Sequence, residues 1–235
     1  MSESENTSQI YNMHAQNRFE FEIERDGQSY DVPQTFKPLS DERYIQWLND
    51  LSVRSNANGE VEEKAREATA KLWDDVIADV ENIDYDEGTD YRPLFAAADK
   101  IEAMNNFLAV SVVSNDGTRG RLRLGAASET QVVRTECWFN GEIVEQTHVL
   151  RTKTFELEKE YDRIQAKRTK RETTRGLRRQ AKVEYIPQDE ALGKLYDSMS
   201  VSVDGFTDGE IPLRFKTLVM NYVFAPSLKA KTAGK

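Results

Sequence analysis

The run VVRTECWFNGEIVEQTHVL, residues 132–150, constrains the fold more than any other stretch of the chain. Asn140-Gly141 sits between two segments rich in β-branched and aromatic residues. Such a pair suits a two-residue type I′ turn, in which both central residues take positive φ. A turn of that length fixes the register: Phe139 stands opposite Glu142, Trp138 opposite Ile143, Cys137 opposite Val144 and Glu136 opposite Glu145. Large apolar groups then fall on both faces near the turn, so the tip is expected to be sandwiched in the core or seated in a partner, with Trp138 and Phe139 as anchors. Facing carboxylates are the arrangement from which some hydrolases draw split pKa values. Here Arg134 shares the face of Glu136 and Glu145, which predicts a solvated charge cluster instead of a catalytic pair.

Periodicity elsewhere points to more hairpins and to helices. Phe19, Phe21 and Ile23 alternate with charged residues, the chain turns at Asp26-Gly27, and Tyr30 and Val32 lead back to Pro33. Ser40 is placed to cap a helix running through Trp47, Leu48 and Leu51, with acids at its first two positions and a Leu39–Tyr44 staple at its entry. Val61, Ala65, Ala68, Leu72, Val76 and Val80 recur at helical spacing, which predicts a second helix over 61–80. A third is expected through Leu94, Ala98, Ile101, Met104 and Leu108. Residues 110–125 read as strand, turn and strand, 188–199 as a short helix, and 211–226, rich in Val, Phe and Tyr, as a strand, with a buried short helix as the alternative. The fold class is therefore α+β, with antiparallel hairpins or a small sheet packed with three to five helices.

At 235 residues the chain suits one domain, placed at 18–227, between polar arms at 1–17 and 228–235. The N-terminus lacks the apolar core of a signal peptide and no run of about 18 apolar residues occurs, so synthesis in the cytoplasm without a membrane span is expected. Cys137 is the single cysteine and lies in an apolar run, which predicts an inert thiol. His14 and His148 are far apart in the chain, and neither is expected in a metal or triad site. No P-loop, GxGxxG, GxSxG or HExxH pattern is present, and no cofactor is implied.

The net charge is −9, yet residues 167–182, KRTKRETTRGLRRQAK, hold eight basic side chains and one acid. Thr154 can cap a helix whose first turns carry Glu156, Glu158 and Glu160, so 155–182 reads as one long helix of about 42 Å. Its seam begins with Leu157, Tyr161 and Ile164 and becomes basic at Arg168, Arg171, Arg175, Arg178 and Lys182, with Lys167, Lys170 and Arg179 flanking. Acids at i,i+4 are nearly absent from the basic half, so like charges should destabilise that helix unless something negative meets it. Nucleic acid is one candidate, disfavoured by the acidity of the rest of the chain and by Gly176 within the patch. An acidic surface on another protein is the second, and this protein's own residues 72–91, in the same chain or in a neighbouring copy, are the third. Residues 72–91 hold eight carboxylates and no base, among them Asp84, Asp86 and Glu87. The spacing of Asn82, Asp84 and Asp86 hints at a calcium loop, but Glu87 stands where the loop needs Gly and Pro93 where it needs Glu.

The stretch from Arg18 to Leu51, containing FEFEIERDGQSYDVPQTFKPLSDERYIQWLNDL, resembles the start of tail-assembly and virion accessory proteins of tailed bacteriophages. There a short hairpin with a DG turn leads through prolines to an amphipathic helix. The resemblance implies a virion or tail component and carries no functional residue over. Together these readings predict a non-enzymatic structural or assembly protein that binds other subunits, including copies of itself, with nucleic-acid binding through 167–182 as the alternative. The candidate contact residues are Lys167, Arg168, Lys170, Arg171, Arg175, Arg178, Arg179 and Lys182 on the basic side. On the acidic side they are Asp84, Asp86 and Glu87, and at the hairpin tip Trp138 and Phe139.

Overall fold

The fold follows from a computed structural model that describes residues 11–12, 14–51, 60–86, 88–113, 129–173, 181–207 and 210–224. Eleven strands and six α-helices alternate along these residues, which makes the protein α+β. In chain order they are β1 (Asn17–Phe19), β2 (Glu22–Arg25), β3 (Gln28–Asp31), β4 (Gln34–Phe36), α1 (Asp41–Leu51), α2 (Glu60–Val76), β5 (Ile77–Val80), α3 (Ala97–Leu108) and β6 (Val110–Val112). Then come β7 (Thr130–Phe139), β8 (Glu142–Arg151), α4 (Phe155–Ala166), β9 (Thr169–Thr173), β10 (Ala181–Tyr185), α5 (Asp189–Met199), β11 (Ser200–Asp204) and α6 (Leu213–Phe224).

Every pairing within the named sheets is antiparallel: a four-stranded sheet in the order β11-β8-β7-β6, a three-stranded one in the order β1-β4-β5, and the separate ribbons β2-β3 and β9-β10. The β7–β8 register is the one the Asn-Gly turn predicts, from Phe139 opposite Glu142 to Glu136 opposite Glu145. Asn140 and Gly141 take φ of 48° and 86°, and Asp26 and Gly27 at the first hairpin take 53° and 74°. Both turns have the positive φ pair that a type I′ connection requires.

Two large clusters of apolar side chains carry the fold. The first joins Phe19, Phe36, Leu72, Trp73, Met104 and Phe107 from β1, β4, α2 and α3, with the Phe36 and Phe107 rings stacked 4.7 Å apart. The second joins Val133 and Leu150 of the four-stranded sheet to Ile164, Leu192, Tyr196, Met199, Met220 and Phe224 of the helices beyond it. A small third cluster of Tyr11, Cys137, Val144 and Phe215 lies beside the second. Cross-connections bind the halves. Asp41, at the start of α1, accepts from the backbone N–H of Leu213 at 2.9 Å and so caps α6. Buried Arg214 lies over the rings of Phe107 and Phe215 and donates to the Tyr11 hydroxyl at 2.8 Å.

Several expectations are settled or corrected. Of the segment 211–226, Leu213–Phe224 is the helix α6, the alternative to the strand reading, because Leu213, Thr217, Met220 and Phe224 form one buried helical stripe and Phe215 and Val219 another. Burial on nearly every side overrides the strand preference of Val, Phe and Tyr. The helix over 61–80 stops at Val76, and Ile77–Val80 instead completes the β1-β4 sheet by pairing with β4. Within the stretch 1–17, Tyr11 is buried against Phe139, Phe206 and Phe215 and bridges Phe206. The long basic helix 155–182 is the largest correction. Its helical part, α4, ends at Ala166, and Thr169–Thr173 and Ala181–Tyr185 pair as an antiparallel ribbon. The third predicted helix exists but starts at Ala97, after a short 3-10 turn at Arg92–Leu94. Of the strand, turn and strand read at 110–125, Val110–Val112 is a strand and residues from 114 onward lie outside the described residues, as does the tail 228–235.

Candidate functional site

The apolar start of the predicted seam does what its spacing implies. Thr154 caps α4 by accepting from the Leu157 N–H at 3.4 Å, Ile164 is buried in the second core cluster, and Tyr161 stacks on Phe224 with ring centroids 4.8 Å apart. The basic half then leaves the helix. Its register places Lys170 opposite Glu184, Glu172 opposite Lys182 and Arg171 opposite Val183. That register sets residues of opposite charge at facing positions, and Thr169, Thr173 and Val183 favour the strand. The pairing continues to the ribbon's base, where the Ile186 N–H donates to the Arg168 carbonyl at 2.8 Å.

Lys167 is exposed at the end of α4, whereas Arg168 is half-buried. Burial pushes the Asp189 carboxyl up, and the neighbouring Arg168 charge draws it part of the way back. Lys170 and Lys182 stand opposite acids. The remaining predicted cations, Arg175, Arg178 and Arg179, fall in the connection 174–180, which contains three arginines and no acid and lies outside the described residues.

The acidic stretch is also redistributed. Asp74 pairs with Lys100 at 2.6 Å, Asp75 with Arg43 at 2.6 Å, Glu81 with Arg18 at 2.8 Å and Asp90 with Arg92 at 3.0 Å. The Arg18 hydrogen bond holds the Glu81 carboxyl below its ordinary range. Asp84 and Asp86 are exposed and make no ion pair among the described residues, and Glu87 lies outside them. Asp84 lies at the lip of a shallow groove of about 280 Å³ floored by Ile23, Val32, Ile83 and Phe95. Tyr85 and Tyr91 stand beside it with ring centroids 5.4 Å apart, and Leu94 is 65% exposed at the rim. The signal missed in the sequence was this aromatic interleaving: Tyr85, Tyr91 and Phe95 alternate with the carboxylates that drew attention.

At the β7–β8 tip the two proposed anchors part company. Phe139 packs on Tyr11 at 4.9 Å, inside the third cluster, while Trp138 lies on the opposite face beside Ile143, which is 63% exposed. Asn17 holds the tip by accepting from the Asn140 N–H at 2.7 Å and donating to the Trp138 carbonyl at 3.2 Å. On the same outer face Glu136 takes a hydrogen bond from Ser111 at 2.9 Å, and Arg134 lies 3.5 Å from Glu145. Each acid thus has its own partner on an open surface.

A buried polar chain crosses the inner face of the sheet. Thr135 donates to the Gln146 side-chain carbonyl at 3.0 Å, which leaves its oxygen to accept from His148 Nε2 at 2.9 Å; His148 Nδ1 then accepts from the Tyr196 hydroxyl at 2.7 Å. Gln146 completes the chain toward the Val144 carbonyl at 3.1 Å and Cys137 Sγ at 3.6 Å. Each donor has one acceptor, so the network fixes the histidine as the neutral Nε2–H tautomer. Burial agrees, lowering His148 from 6.5 to about 4 and pushing the Tyr196 hydroxyl and the Cys137 thiol up. Cys137 is thereby the buried, weakly acidic thiol expected of it. No known protein family, curated protein or solved structure matches the chain.

Proposed function

We propose that the protein is a non-enzymatic structural or assembly component that binds other protein subunits, and that residues 167–182 are its arm. The observation that carries this reading is that β9 and β10 form a two-stranded sheet of their own. Isolated two-stranded ribbons are marginal in water. A ribbon of this kind gains order by meeting a partner, and a connection with three arginines and no acid favours a negative one. Exposed ion pairs contribute only about 0–1 kcal/mol each, so the charges steer and select, while apolar surface supplies affinity. The outward pair Trp138 and Ile143 offers such surface on the same chain. The resemblance of residues 18–51 to accessory proteins of tailed phages extends the proposal to a virion or tail component, made in the cytoplasm.

The test is the state of association of the full chain. Arg171→Glu with Arg175→Glu should abolish complex formation with its own copies or with candidate subunits, and an unchanged complex refutes the arm. A ribbon also fits the major groove of duplex DNA, which favours the second reading more than a helix broken by glycine did. If five arm cations met phosphates, log K would fall against log salt with a slope of about −4 to −5. That slope, lost in the same double variant, would replace subunit binding by nucleic-acid binding.

A further inference from the structure

We infer that the groove between the β2–β3 ribbon and the loop 81–95 is the receptor for the arm of a second copy, and that it takes an arginine side chain from residues 174–180. This rests on the reading of 167–182 as a subunit-binding arm and names where the arm goes. Of the acids in 72–91, Asp74, Asp75, Glu81 and Asp90 already hold bases of their own chain. Among the described residues Asp84 has no ion pair, and it borders a concave, aromatic surface. Tyr85 is 44% exposed and its ring tilts 57° from that of Tyr91, so an aromatic surface borders the groove. An arginine is the guest with matching chemistry. Its planar guanidinium stacks on an aromatic face, its fork pairs with a carboxylate, and its stem covers the apolar floor of Ile83 and Val32.

Size points the same way. At about 280 Å³ the groove is smaller than most small-molecule pockets, and it is open, so it suits one or two side chains of a docked segment. Arg25 also lines it but is engaged by Asp99, which removes the competing positive charge. A contact between the 174–180 segment of one copy and the groove of the next is head-to-tail, so it propagates into a ring or a filament.

The test uses two full-length variants and sedimentation of each alone and mixed. An arm variant, Arg175→Ala with Arg178→Ala and Arg179→Ala, keeps the groove; a groove variant, Asp84→Ala with Tyr85→Ala, keeps the arm. Each should lose self-association by at least about tenfold, and an equimolar mixture should form a dimer and stop there, because one good arm then meets one good groove. Tyr85→Phe, which keeps the ring, should associate as wild type. A groove variant that assembles normally while the arm variant does not overturns the groove and leaves the arm reading standing. If both variants assemble normally, both readings fall. A wild-type chain that stays monomeric at every concentration, or a mixture that stays monomeric, overturns the assignment of the groove to a second copy.

Discussion

Two antiparallel hairpins follow one another along the chain and differ in what they can bury. In β7–β8 the inward positions Val133, Cys137, Val144 and Leu150 are apolar, and the polar ones among them, Thr135, Gln146 and His148, satisfy one another. The outward positions are charged or mixed, so the hairpin has a core face and a solvent face and becomes the centre of a four-stranded sheet. In β9–β10 the first strand, TKRET, has no apolar residue, and among the described residues the ribbon pairs with no further strand. The turn chemistry of the first hairpin is good, but the lesson lies in the alternation. A hairpin becomes the centre of a sheet when one of its faces can be removed from water.

The largest expected contrast is in the core. Leu150→Ala, at a fully buried position in β8, should cost about 2–5 kcal/mol of unfolding free energy in urea titration. Acid comes next. His148 is lowered from 6.5 to about 4 by burial, so between those values the unfolded chain binds a proton that the native one does not. Stability is therefore complete above pH 6.5 and should fall by about 3 kcal/mol as the pH drops to 4. Asp189, raised from 3.8 by burial, gives the opposite slope just above that value and flattens the lower end of the curve. A stability curve level from pH 7 to 4 in the wild type would show that the buried chain through His148 is not as tight as described.

A smaller effect belongs to the turn. Gly141 has φ of 86° and an added Cβ there would meet nothing within 4 Å, so Gly141→Ala should cost only the backbone strain, about 1–2 kcal/mol. The smallest belongs to the ribbon. Replacing residues 169–185 by a short glycine linker should leave the melting temperature of the monomer within about 3 °C of the wild type. Backbone amides of β9 and β10 should exchange with solvent faster than those of β7 and β8 in the monomer and gain protection on assembly.

Where the sequence carried a two-residue period with a defined turn, it was legible to the residue: the β7–β8 register and the Asp26-Gly27 turn are as read. Caps were legible too, because Ser40 and Thr154 accept from the N–H groups three residues on. The failures share a cause. At 155–182 a genuine helix start invited extension, and the decisive information, that Glu172 and Glu184 can face Lys182 and Lys170, is a pairing between segments ten or more residues apart. At 211–226 the strand-forming residues were read by propensity, whereas burial of both helix stripes decided the outcome. For the candidate site, the charge blocks were visible and their local neutralisation was not. The partners Lys100, Arg43 and Arg18 come from distant parts of the chain.

The proposed role of the ribbon is to serve another molecule and not its own fold. Its most direct test is the mass of the full chain by sedimentation over a range of concentration and salt, beside the Arg175, Arg178 and Arg179 variant. The account predicts that the wild type rises above the 26.9 kDa monomer with concentration, that salt reverses the rise, and that the variant stays monomeric with an unchanged melting temperature. A variant that associates as well as the wild type, or that unfolds for want of those arginines, would contradict it.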